Sequence, residues 1–308
     1  MSPARKRSLV MLMDPIEQCN LEKDTSFALL LSAQVAGYTL YHLAADDVGY
    51  TPTGLYVTPI RVYDDLNHPV DKRPKQWLSA DDCGLVFIRL DPPFNQQYLR
   101  ITWLLDRLPI PVINAPAGLR TVNEKLWALG RPYTPPTIVT ACFKTYYDFL
   151  QTHATVIIKP TDGFGGSGIF KITASDSNHR VAFETLASMG PVIVQKAIDS
   201  VGDKRVLLLN GRPLGAILRQ QTTANDHRHN LAAGGLAKPT EITELDRNII
   251  ASVADELVSL GLSFVGLDII GDHLIEVNVT SPMGIRELSR FTGKDMAAPV
   301  IAFLESYL

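Results

Sequence analysis

Residues 264–279 read FVGLDIIGDHLIEVNV, two apolar runs separated by a short polar turn. Such runs around a Gly-Asp turn predict a β-hairpin, and their apolar character predicts that the hairpin is buried. On the second run Glu276 and Asn278 are two residues apart, so a strand directs both side chains to one face. Oxygen ligands of this kind favour Mg²⁺, which typically takes one or two carboxylates together with substrate phosphates.

The length of the turn decides whether Asp268 joins this pair. A two-residue turn, Gly271-Asp272, pairs Asp268 with Ile275 and directs its carboxylate to the wrong face. A three-residue turn that adds His273 pairs Asp268 with Glu276 instead. We predict the longer turn and therefore a cluster of three oxygen side chains. A polar stripe on a solvated face is the weaker alternative, because the rest of the hairpin is apolar.

A glycine-rich loop lies between two other predicted strands, residues 155–160 and 169–173. It matches the pattern GxGxxG, but the residues after it are β-branched and alternating, whereas a dinucleotide-binding turn requires a helix there. A P-loop is excluded because no Gly-Lys-Ser/Thr ends the loop. We expect the backbone N–H groups of the loop to cover phosphate oxygens. The loop residues concerned are Gly163, Gly165, Gly166, Ser167 and Gly168.

Several cationic side chains stand beside these motifs. Lys125 lies in the run Asn123-Glu124-Lys125-Leu126 and Lys159 at the end of Ile157-Ile158-Lys159-Pro160, where an ammonium suits phosphate oxygens. Five arginines are candidates for carboxylate or phosphate recognition, although for any single one surface solubility is the commoner role. They are Arg89, Arg205, Arg219, Arg228 and Arg286.

The composition sets the broad class of protein. The chain has 308 residues, 46% hydrophobic and 20% charged, with 29 Lys+Arg against 32 Asp+Glu. These proportions indicate a soluble globular protein and exclude disorder and a disulfide scaffold. A net charge of -3 gives no reason to expect nucleic acid or anionic membrane as a partner, and no run approaches a membrane span. The three cysteines form no metal or disulfide spacing, so we expect a reducing, cytoplasmic setting.

Apolar periodicity predicts the order of the elements. Strands at 8–14, 38–45, 84–91 and 111–115 alternate with helices at 25–37 and 95–108, which predicts a mostly parallel sheet covered by helices. The middle of the chain adds helices at 122–129 and 143–151 and strands at 155–160, 169–173 and 192–198. Asn210-Gly211 predicts a second hairpin, and helices follow at 244–260 and from Met296. We expect a domain at 1–122, a small lobe at 123–198 and a C-terminal lobe at 199–308.

Taken together, the motifs resemble the prokaryotic glutathione synthetases, a family of ATP-grasp ligases, over nearly the whole chain. The matching runs occur in the same order as in that family. They are Met13-Asp14-Pro15, Lys23-Asp24-Thr25-Ser26-Phe27, Arg89-Leu90-Asp91-Pro92-Pro93-Phe94, Asn123-Glu124-Lys125-Leu126, Ile158-Lys159-Pro160, Gly202-Asp203-Lys204-Arg205, residues 230–235 (NLAAGG), residues 264–272 (FVGLDIIGD) and residues 276–282 (EVNVTSP).

The resemblance implies the fold and the reaction. The fold is α/β and α+β, an ATP-grasp fold preceded by an N-terminal doubly wound α/β (pre-ATP-grasp) domain that binds substrate. The reaction joins γ-glutamylcysteine to glycine and consumes ATP through an acyl phosphate. The implied cofactors are ATP and Mg²⁺, for which Mn²⁺ can substitute. Members of the family are commonly homo-oligomers, so a homo-oligomer is expected here.

The resemblance also implies a role for each candidate residue. Asp268, Glu276 and Asn278 hold the metal. Lys125, Lys159 and the loop Gly163 to Gly168 bind ATP phosphates, and Gln195, Lys196, Ala197 and Ile198 border the adenine, with Asp203 nearby in the nucleotide site. Arg205, Arg228 and Arg286 act on the transferring group, while Arg89, Arg219, Asn230 and Ser281 bind substrate.

The chain departs from the family pattern at residues 220–229, which read QQTTANDHRH. The family has paired glycines and a Glu-Thr-Arg-Gly run there, and His229 stands where glycine is usual. Lys196-Ala197 also replaces an Asn-Tyr pair. Two alternatives to glutathione synthesis therefore stay open. One is an ATP-grasp ligase for a different dipeptide or amino-acid pair, and the other is a nucleotide-binding module without catalysis.

Overall fold

The structure is a computed structural model that describes residues 6–163, 165–220 and 236–308. Its strands form three sheets. Within the described residues, no helix is long and apolar enough to cross a membrane. The expected homo-oligomer stays a prediction.

The first sheet contains eight strands in the order β3-β4-β2-β1-β7-β8, with β5 and β6 paired to β4. Its strands are β1 (Ser8–Met13), β2 (Thr39–Leu43), β3 (Gly49–Thr51), β4 (Gly54–Val62), β5 (Val70–Lys72), β6 (Gln76–Ser79), β7 (Leu85–Arg89) and β8 (Val112–Ile113). The strands predicted from periodicity, β2, β1, β7 and β8, pair in parallel, which confirms the α/β prediction. The antiparallel strands β3 to β6 were not predicted.

Three helices accompany this sheet: α1 (Thr25–Val35), α2 (Gln96–Leu105) and α3 (Pro116–Thr121). Asp24 caps the start of α1, because its side chain accepts a hydrogen bond from the Phe27 N–H. The helix predicted at 122–129 is wrong. Helix α3 begins earlier, at Pro116, whose fixed φ suits the first helical position, and residues 124–130 form turns. The Asn123 side chain accepts from the N–H groups of Lys125 and Leu126 and stabilises this turn.

The second sheet is antiparallel, in the order β11-β10-β12-β9. Its elements are β9 (Thr137–Thr140), α4 (Phe143–His153), β10 (Thr155–Pro160), β11 (Phe170–Thr173), α5 (His179–Ala187) and β12 (Val192–Lys196). Strand β9 and helix α5 were not predicted. A separate hydrophobic core lies beneath this sheet, where Tyr146 stacks on Phe183 with ring centroids 4.3 Å apart.

The third sheet is also antiparallel, in the order β15-β14-β13-β16-β17. Its elements are β13 (Asp203–Leu209), β14 (Arg212–Gln220), β15 (Leu236–Pro239), α6 (Glu244–Ala251), α7 (Ala254–Ser259), β16 (Phe264–Ile270), β17 (His273–Asn278), α8 (Ile285–Thr292) and α9 (Ala298–Leu304). Asn210 and Gly211 have φ of 48° and 75°, as the predicted hairpin turn requires. The single helix predicted at 244–260 is two helices, and α8 was not predicted.

The hairpin of β16 and β17 corrects one prediction and confirms another. Ile270 pairs with His273, so the turn contains two residues, Gly271 and Asp272, and the predicted three-residue turn is wrong. The predicted pairing of Asp268 with Glu276 is nevertheless present. A β-bulge opposite Asp268 and Ile269 places one extra residue, Ile275, on β17. This extra residue brings Asp268 opposite Glu276 although the turn is short.

The first and third sheets share hydrophobic cores, whereas the second sheet has its own. One shared cluster joins Leu12 and Leu119 of the N-terminal part to Val206 and Leu267 of the third sheet. Polar contacts also join them, because the Asn114 amide donates to the carbonyls of Phe264 and Val279, at 2.8 Å each. The third sheet therefore packs against the N-terminal sheet. The domain limits at residues 122 and 198 stay predictions.

Candidate active site

Lys159 is a buried cation near the end of β10. Its Nζ lies 3.4 Å from the Gln195 Oε1, and the Gln195 amide donates in turn to the Thr137 hydroxyl at 2.9 Å. Burial lowers the pKa of Lys159 to about 8, although the Glu276 carboxylate acts in the opposite direction. No carboxylate within the described residues lies within ion-pair distance of this ammonium. Lys159 is therefore a buried cation whose charge is incompletely matched.

Lys125 connects the glycine-rich loop to the hairpin. Its Nζ lies 3.1 Å from the Glu276 Oε1 and also donates a short hydrogen bond to the Gly163 carbonyl. Both lysines interact electrostatically with Glu276, so the structure brings Lys125, Lys159 and Glu276 together. This cluster gathers cationic and anionic groups at one end of the hairpin.

Glu124 holds the Lys125 turn in place, a role that sequence reasoning missed. Its Oε1 accepts from the N–H groups of Val279 and Thr280, at 2.8 and 3.0 Å, and from the Thr280 hydroxyl at 2.8 Å. The Glu124 carbonyl accepts from the Val277 N–H at 2.9 Å. Burial, followed by the nearby Glu276 charge, raises the pKa of Glu124. The available signal was a charged residue between Asn123, whose type often stabilises turns, and the candidate Lys125.

Asp268 lies in a buried network of ions. Arg205 forms a two-pronged pair with Asp268, with Nη2 2.9 Å from Oδ2. Arg219 donates to both oxygens of Asp203 and lies 3.0 Å from the Asp268 Oδ2. Burial acts to raise the pKa of Asp268, but the two guanidinium groups outweigh it and hold that pKa well below its usual range. Asp268 is therefore ionised and firmly oriented.

The three predicted metal ligands share one region of the hairpin. Asp268 and Glu276 are paired residues, and Asn278 lies two residues further along β17, with its Nδ2 3.3 Å from the Gly266 carbonyl. No group of three or more His, Cys, Asp or Glu side chains suited to a metal occurs in the described ranges. Two carboxylates and an amide nevertheless fit Mg²⁺, which accepts few protein carboxylates when phosphates complete its coordination.

The loop between β17 and α8 contacts several predicted substrate residues. The buried Arg89 donates from Nη2 to the Pro282 carbonyl and from Nε to the Ser26 hydroxyl, at 3.0 Å each. Its Nη1 has no hydrogen-bond partner in the described part of the chain. Burial lowers the pKa of Arg89 to about 10, against the opposing influence of Asp24 and Asp91.

The same loop meets Arg205 and the start of α1. Arg205 Nη1 lies 3.4 Å from the Met283 carbonyl, and the Ser281 side chain is hydrogen-bonded to Asp91. The Thr25 hydroxyl accepts from the N–H groups of Gly284 and Ile285. The structure thus brings Arg89, Arg205 and Ser281 around one loop.

Arg286 and Arg219 occupy different surroundings. Arg286 lies at the start of α8, 5.6 Å from the centre of the Phe27 ring and 3.3 Å from the Asp64 carboxylate, and its Nε lacks a partner among the described residues. Arg219 is buried among carboxylates. The contact between Arg219 and substrate stays a prediction.

The predicted adenine segment lies at the end of β12. The Lys196 N–H donates to the Pro136 carbonyl and the Ala197 N–H to the Thr155 carbonyl, at 2.9 and 3.1 Å. Ile198 lies beside the hairpin turn, since a Cβ on Gly271 would stand 3.5 Å from its Cγ2. The segment therefore connects the second sheet with the hairpin of β16 and β17.

The glycine-rich loop uses conformations that favour glycine. Gly165, Gly166 and Gly168 have φ of 62°, 82° and 71°. Gly163 is required for a different reason, because a Cβ there would stand 2.6 Å from the Pro160 Cγ. Ser167 is exposed. These backbone features agree with a phosphate-covering loop, whereas Arg228 and Asn230 lie outside the described residues.

A cleft of about 280 Å³ opens between the N-terminal sheet and the glycine-rich loop. We name it the Arg120 cleft. Its lining includes Phe94, Arg120, Glu124, Lys125, Asp162 and Thr280. The sequence did not predict this cleft, because its residues come from distant parts of the chain.

Comparison with known proteins places the chain in a family. The N-terminal domain of prokaryotic glutathione synthetase matches residues 8–120, and the ATP-grasp domain of the same enzyme matches residues 124–293. The glutathione synthetase of Pseudomonas syringae pv. tomato is 36% identical over 311 residues, which cover 97% of each chain. That of Vibrio cholerae is 37% identical over 306 residues, which cover 94% of this chain and 96% of the relative.

Solved structures agree on the fold. The D-cycloserine synthetase DcsG superposes with a TM-score of 0.66 at 16% identity and covers 96% of this chain and 100% of its own. The ATP-grasp ligase PsnB, solved with a minimal precursor, gives 0.64 at 14% identity, covering 98% and 100%. At these identities the likeness establishes the fold alone, and the sequence matches establish the rest: the chain belongs to the prokaryotic glutathione synthetase family and has the ATP-grasp fold.

Proposed function

We propose that this protein joins γ-glutamylcysteine to glycine, converting ATP to ADP and phosphate. The observation that carries the proposal is the meeting of Lys125, Lys159 and Glu276 beside the glycine-rich loop, in a chain of this family. Lys159, a buried cation whose charge is incompletely matched, is suited to the oxygens of a polyphosphate. The carboxylates of the hairpin add a site for the metal that accompanies it.

The chemistry proceeds in two transfers. A carboxylate oxygen of γ-glutamylcysteine attacks the γ-phosphorus of ATP, and the bond to the ADP oxygen breaks, which gives an acyl phosphate and ADP. The neutral amine of glycine then attacks the acyl carbon. Phosphate leaves with its bonding electrons and the amine nitrogen loses a proton. The protein contributes mainly positioning and neutralisation of charge in such phosphoryl transfers.

Asp268, Glu276 and Asn278 are the residues that would hold Mg²⁺, or Mn²⁺ in its place. The fit rests on the paired register of the two carboxylates and on a donor set made only of oxygen atoms. When bound, the metal neutralises phosphate charge. Arg205 and Arg219 orient Asp268 for this role, since they fix both of its oxygens.

The two lysines would bind ATP phosphates from the second sheet and from the Lys125 turn. The glycine-rich loop, whose Gly163 carbonyl already contacts Lys125, would cover the phosphates and exclude water from the acyl phosphate. Residues Gln195 to Ile198 would border the adenine, with Asp203 nearby in the nucleotide site. Arg89 and Ser281 would bind the dipeptide, and Arg286 would lie near the transferring group. Arg228 and Asn230 are proposed from sequence alone.

The decisive experiment measures ADP release by the purified protein with MgATP and γ-glutamylcysteine, with and without glycine, and identifies the product by mass. Glycine-dependent ADP release with a gain of one glycyl residue is the expected result. MgATP binding without turnover would contradict the proposed substrates. A panel of other dipeptides and amines would then distinguish a ligase of changed specificity, as the departing residues 220–229 would allow, from a binding module.

A further inference from the structure

Among the described strands, β17 lies at the edge of the third sheet, with β16 as its neighbour. An edge strand presents backbone N–H and C=O groups that no further strand pairs with. Here two of these N–H groups donate to residues outside the sheet. The Leu274 N–H donates to the Tyr133 carbonyl at 2.8 Å, and the Val277 N–H donates to the Glu124 carbonyl at 2.9 Å. A segment from outside the sheet therefore covers the outer edge of β17.

Val279, the residue that directly follows β17, is held at both of its backbone polar groups. Its N–H donates to the Glu124 Oε1, and its carbonyl accepts from the Asn114 Nδ2, at 2.8 Å each. The same Glu124 oxygen accepts from the N–H and the hydroxyl of Thr280, at 3.0 and 2.8 Å. Two side chains from outside the sheet therefore fix the path of the chain as it leaves β17.

Asn114 also holds the start of β16. Its Nδ2 donates to the Phe264 carbonyl at 2.8 Å, and its Oδ1 accepts from the Phe264 N–H at 2.9 Å. The Asn114 side chain is buried, and Phe264 is the first residue of β16. One side-chain amide thus joins both strands of the hairpin at the end away from the turn, so a shift of β17 along β16 would break one of these hydrogen bonds.

These contacts lie next to the proposed metal ligands. Asn278 directly precedes Val279, and Glu276 lies two residues before Asn278 on the same strand. Glu124 in turn precedes Lys125, whose Nζ lies 3.1 Å from the Glu276 Oε1. The hydrogen bonds of Glu124 therefore fix the metal-binding strand and the phosphate-binding lysine relative to each other.

We infer that Asn114 and Glu124 are positioning residues for the metal site, which hold the end of β17 so that Glu276 and Asn278 keep the orientation that binds Mg²⁺. This inference rests on the proposed function, to which the metal ligands belong, and deepens it. Residues that orient metal ligands through hydrogen bonds change metal affinity without contacting the ion.

The test measures metal binding directly. The free Mn²⁺ signal in electron paramagnetic resonance gives the Kd for Mn²⁺ of the protein in the presence of AMPPNP, an ATP analogue that is not hydrolysed. In Asn114→Ala we expect this Kd to rise roughly 10- to 100-fold, the usual loss when a residue that orients a metal ligand is replaced. The substitution changes no charge, so electrostatics does not account for the rise.

Gln34→Ala is the matched control, because the Gln34 amide holds one residue of the N-terminal sheet in a similar manner. Its Nε2 donates to the Val62 carbonyl at 2.8 Å, and its Oε1 accepts from the Val62 N–H at 3.0 Å. Both alanine variants should lower thermal stability, but Gln34→Ala should keep the wild-type Kd for Mn²⁺. A wild-type Kd in Asn114→Ala as well would overturn the inference, since Asn114 would then contribute to stability alone.

Two variants of Glu124 separate its hydrogen bonds from its charge. Glu124→Gln keeps the Oε1 acceptor and removes the charge, whereas Glu124→Met removes both. We expect the Kd for Mn²⁺ to rise more in Glu124→Met than in Glu124→Gln. Equal rises would assign the effect to charge and contradict a positioning role for Glu124. If Glu124→Met does not fold, Asn114→Ala decides the inference.

Mn²⁺ binding requires no turnover, so the outcomes distinguish this inference from the proposed function. A protein that makes no glutathione, but whose Kd for Mn²⁺ rises in Asn114→Ala and not in Gln34→Ala, keeps the positioning role and loses the proposed reaction. A protein that joins glycine, but binds Mn²⁺ with wild-type affinity in the Asn114 and Glu124 variants, keeps the reaction and loses the positioning role.

Discussion

The candidate active site contains two buried arginines whose charges are already matched, Arg205 and Arg219, and a buried lysine whose charge is not, Lys159. On the third sheet, Arg205 and Arg219 share Asp268, and Arg219 also binds Asp203. On the second sheet, the hydrogen-bond partner of the Lys159 ammonium among the described residues is the Gln195 amide oxygen, at 3.4 Å. The difference teaches that buried cations in one site can have different roles. The two arginines hold a carboxylate in place, whereas the incompletely matched charge of Lys159 suits the anionic ligand that we propose, the ATP phosphates.

The largest expected effect is on stability, from Arg219→Met. Removing this guanidinium leaves the buried Asp203 carboxylate without its ion-pair partner and leaves the Asp268 carboxylate with Arg205 alone. Breaking a buried ion pair in this way typically costs about 3–5 kcal/mol, so we expect the free energy of unfolding in urea to fall by about that amount. Adding Asp203→Asn should recover part of the loss. An Arg219→Met protein of wild-type stability with a raised KM for the dipeptide would instead favour direct substrate contact.

Lys159→Met should affect function rather than folding. We expect kcat/KM for ATP to fall roughly 10²- to 10³-fold, the usual loss when one group that stabilises developing charge is removed. Thermal stability should not fall, because the substitution removes a buried, incompletely matched charge. Lys171→Met on the neighbouring strand β11 is the matched control, since Lys171 is exposed and lies 3.8 Å from Asp199. An unfolded Lys159→Met protein would contradict the proposed difference, because Lys159 would then be required for folding as the arginines are.

Glu276→Gln tests the hairpin that lies between the two kinds of cation. We expect turnover at fixed Mg²⁺ to fall about 10²-fold and the half-saturating Mg²⁺ concentration to rise, because one charged ligand is lost. Asp272→Asn is the control, an exposed carboxylate in the turn of the same hairpin. Wild-type turnover with unchanged Mg²⁺ dependence in Glu276→Gln would exclude Glu276 as a metal ligand.

The hairpin also shows how far sequence reasoning reached. Alternation along residues 264–279 was enough to predict the strands and the face shared by Glu276 and Asn278. The pairing of Asp268 with Glu276 was predicted correctly but for the wrong reason, since a bulge and not a longer turn sets the register. A bulge depends on local packing, which alternation alone does not encode.

Other features lay beyond the sequence because they depend on contacts between distant residues. The use of Glu124 as a hydrogen-bond acceptor for Val279 and Thr280 joins groups more than 150 positions apart. The Arg120 cleft likewise forms only when α3 meets the glycine-rich loop. Periodicity identifies single elements, whereas these features arise between elements.

The smallest expected effect is on the pH dependence of ATP affinity, and it distinguishes Lys159 from the arginines. Because phosphate binding requires the charged ammonium, affinity for MgATP should be highest about one pH unit or more below the lowered Lys159 pKa of about 8 and should fall as the pH rises through it. The decrease should approach tenfold per pH unit where this single proton governs binding. Calorimetric titration from pH 7 to 9 measures it, and Lys159→Arg, which keeps its charge, should remove the decrease. A wild-type affinity that stays constant over this range would contradict the proposed phosphate contact.

The same lowered pKa acts on stability in the opposite direction. The unfolded chain, with a lysine pKa near 10.5, binds more protons than the folded protein between about pH 8 and that value. The free energy of unfolding of the ligand-free protein should therefore gain a contribution from Lys159 as the pH rises through this window. In Lys159→Met that contribution should be absent. ATP affinity and stability should therefore change with pH in opposite directions, and a substitution at Lys159 should remove both trends. That result would show that the Lys159 charge destabilises the ligand-free protein and is stabilised by the bound ligand.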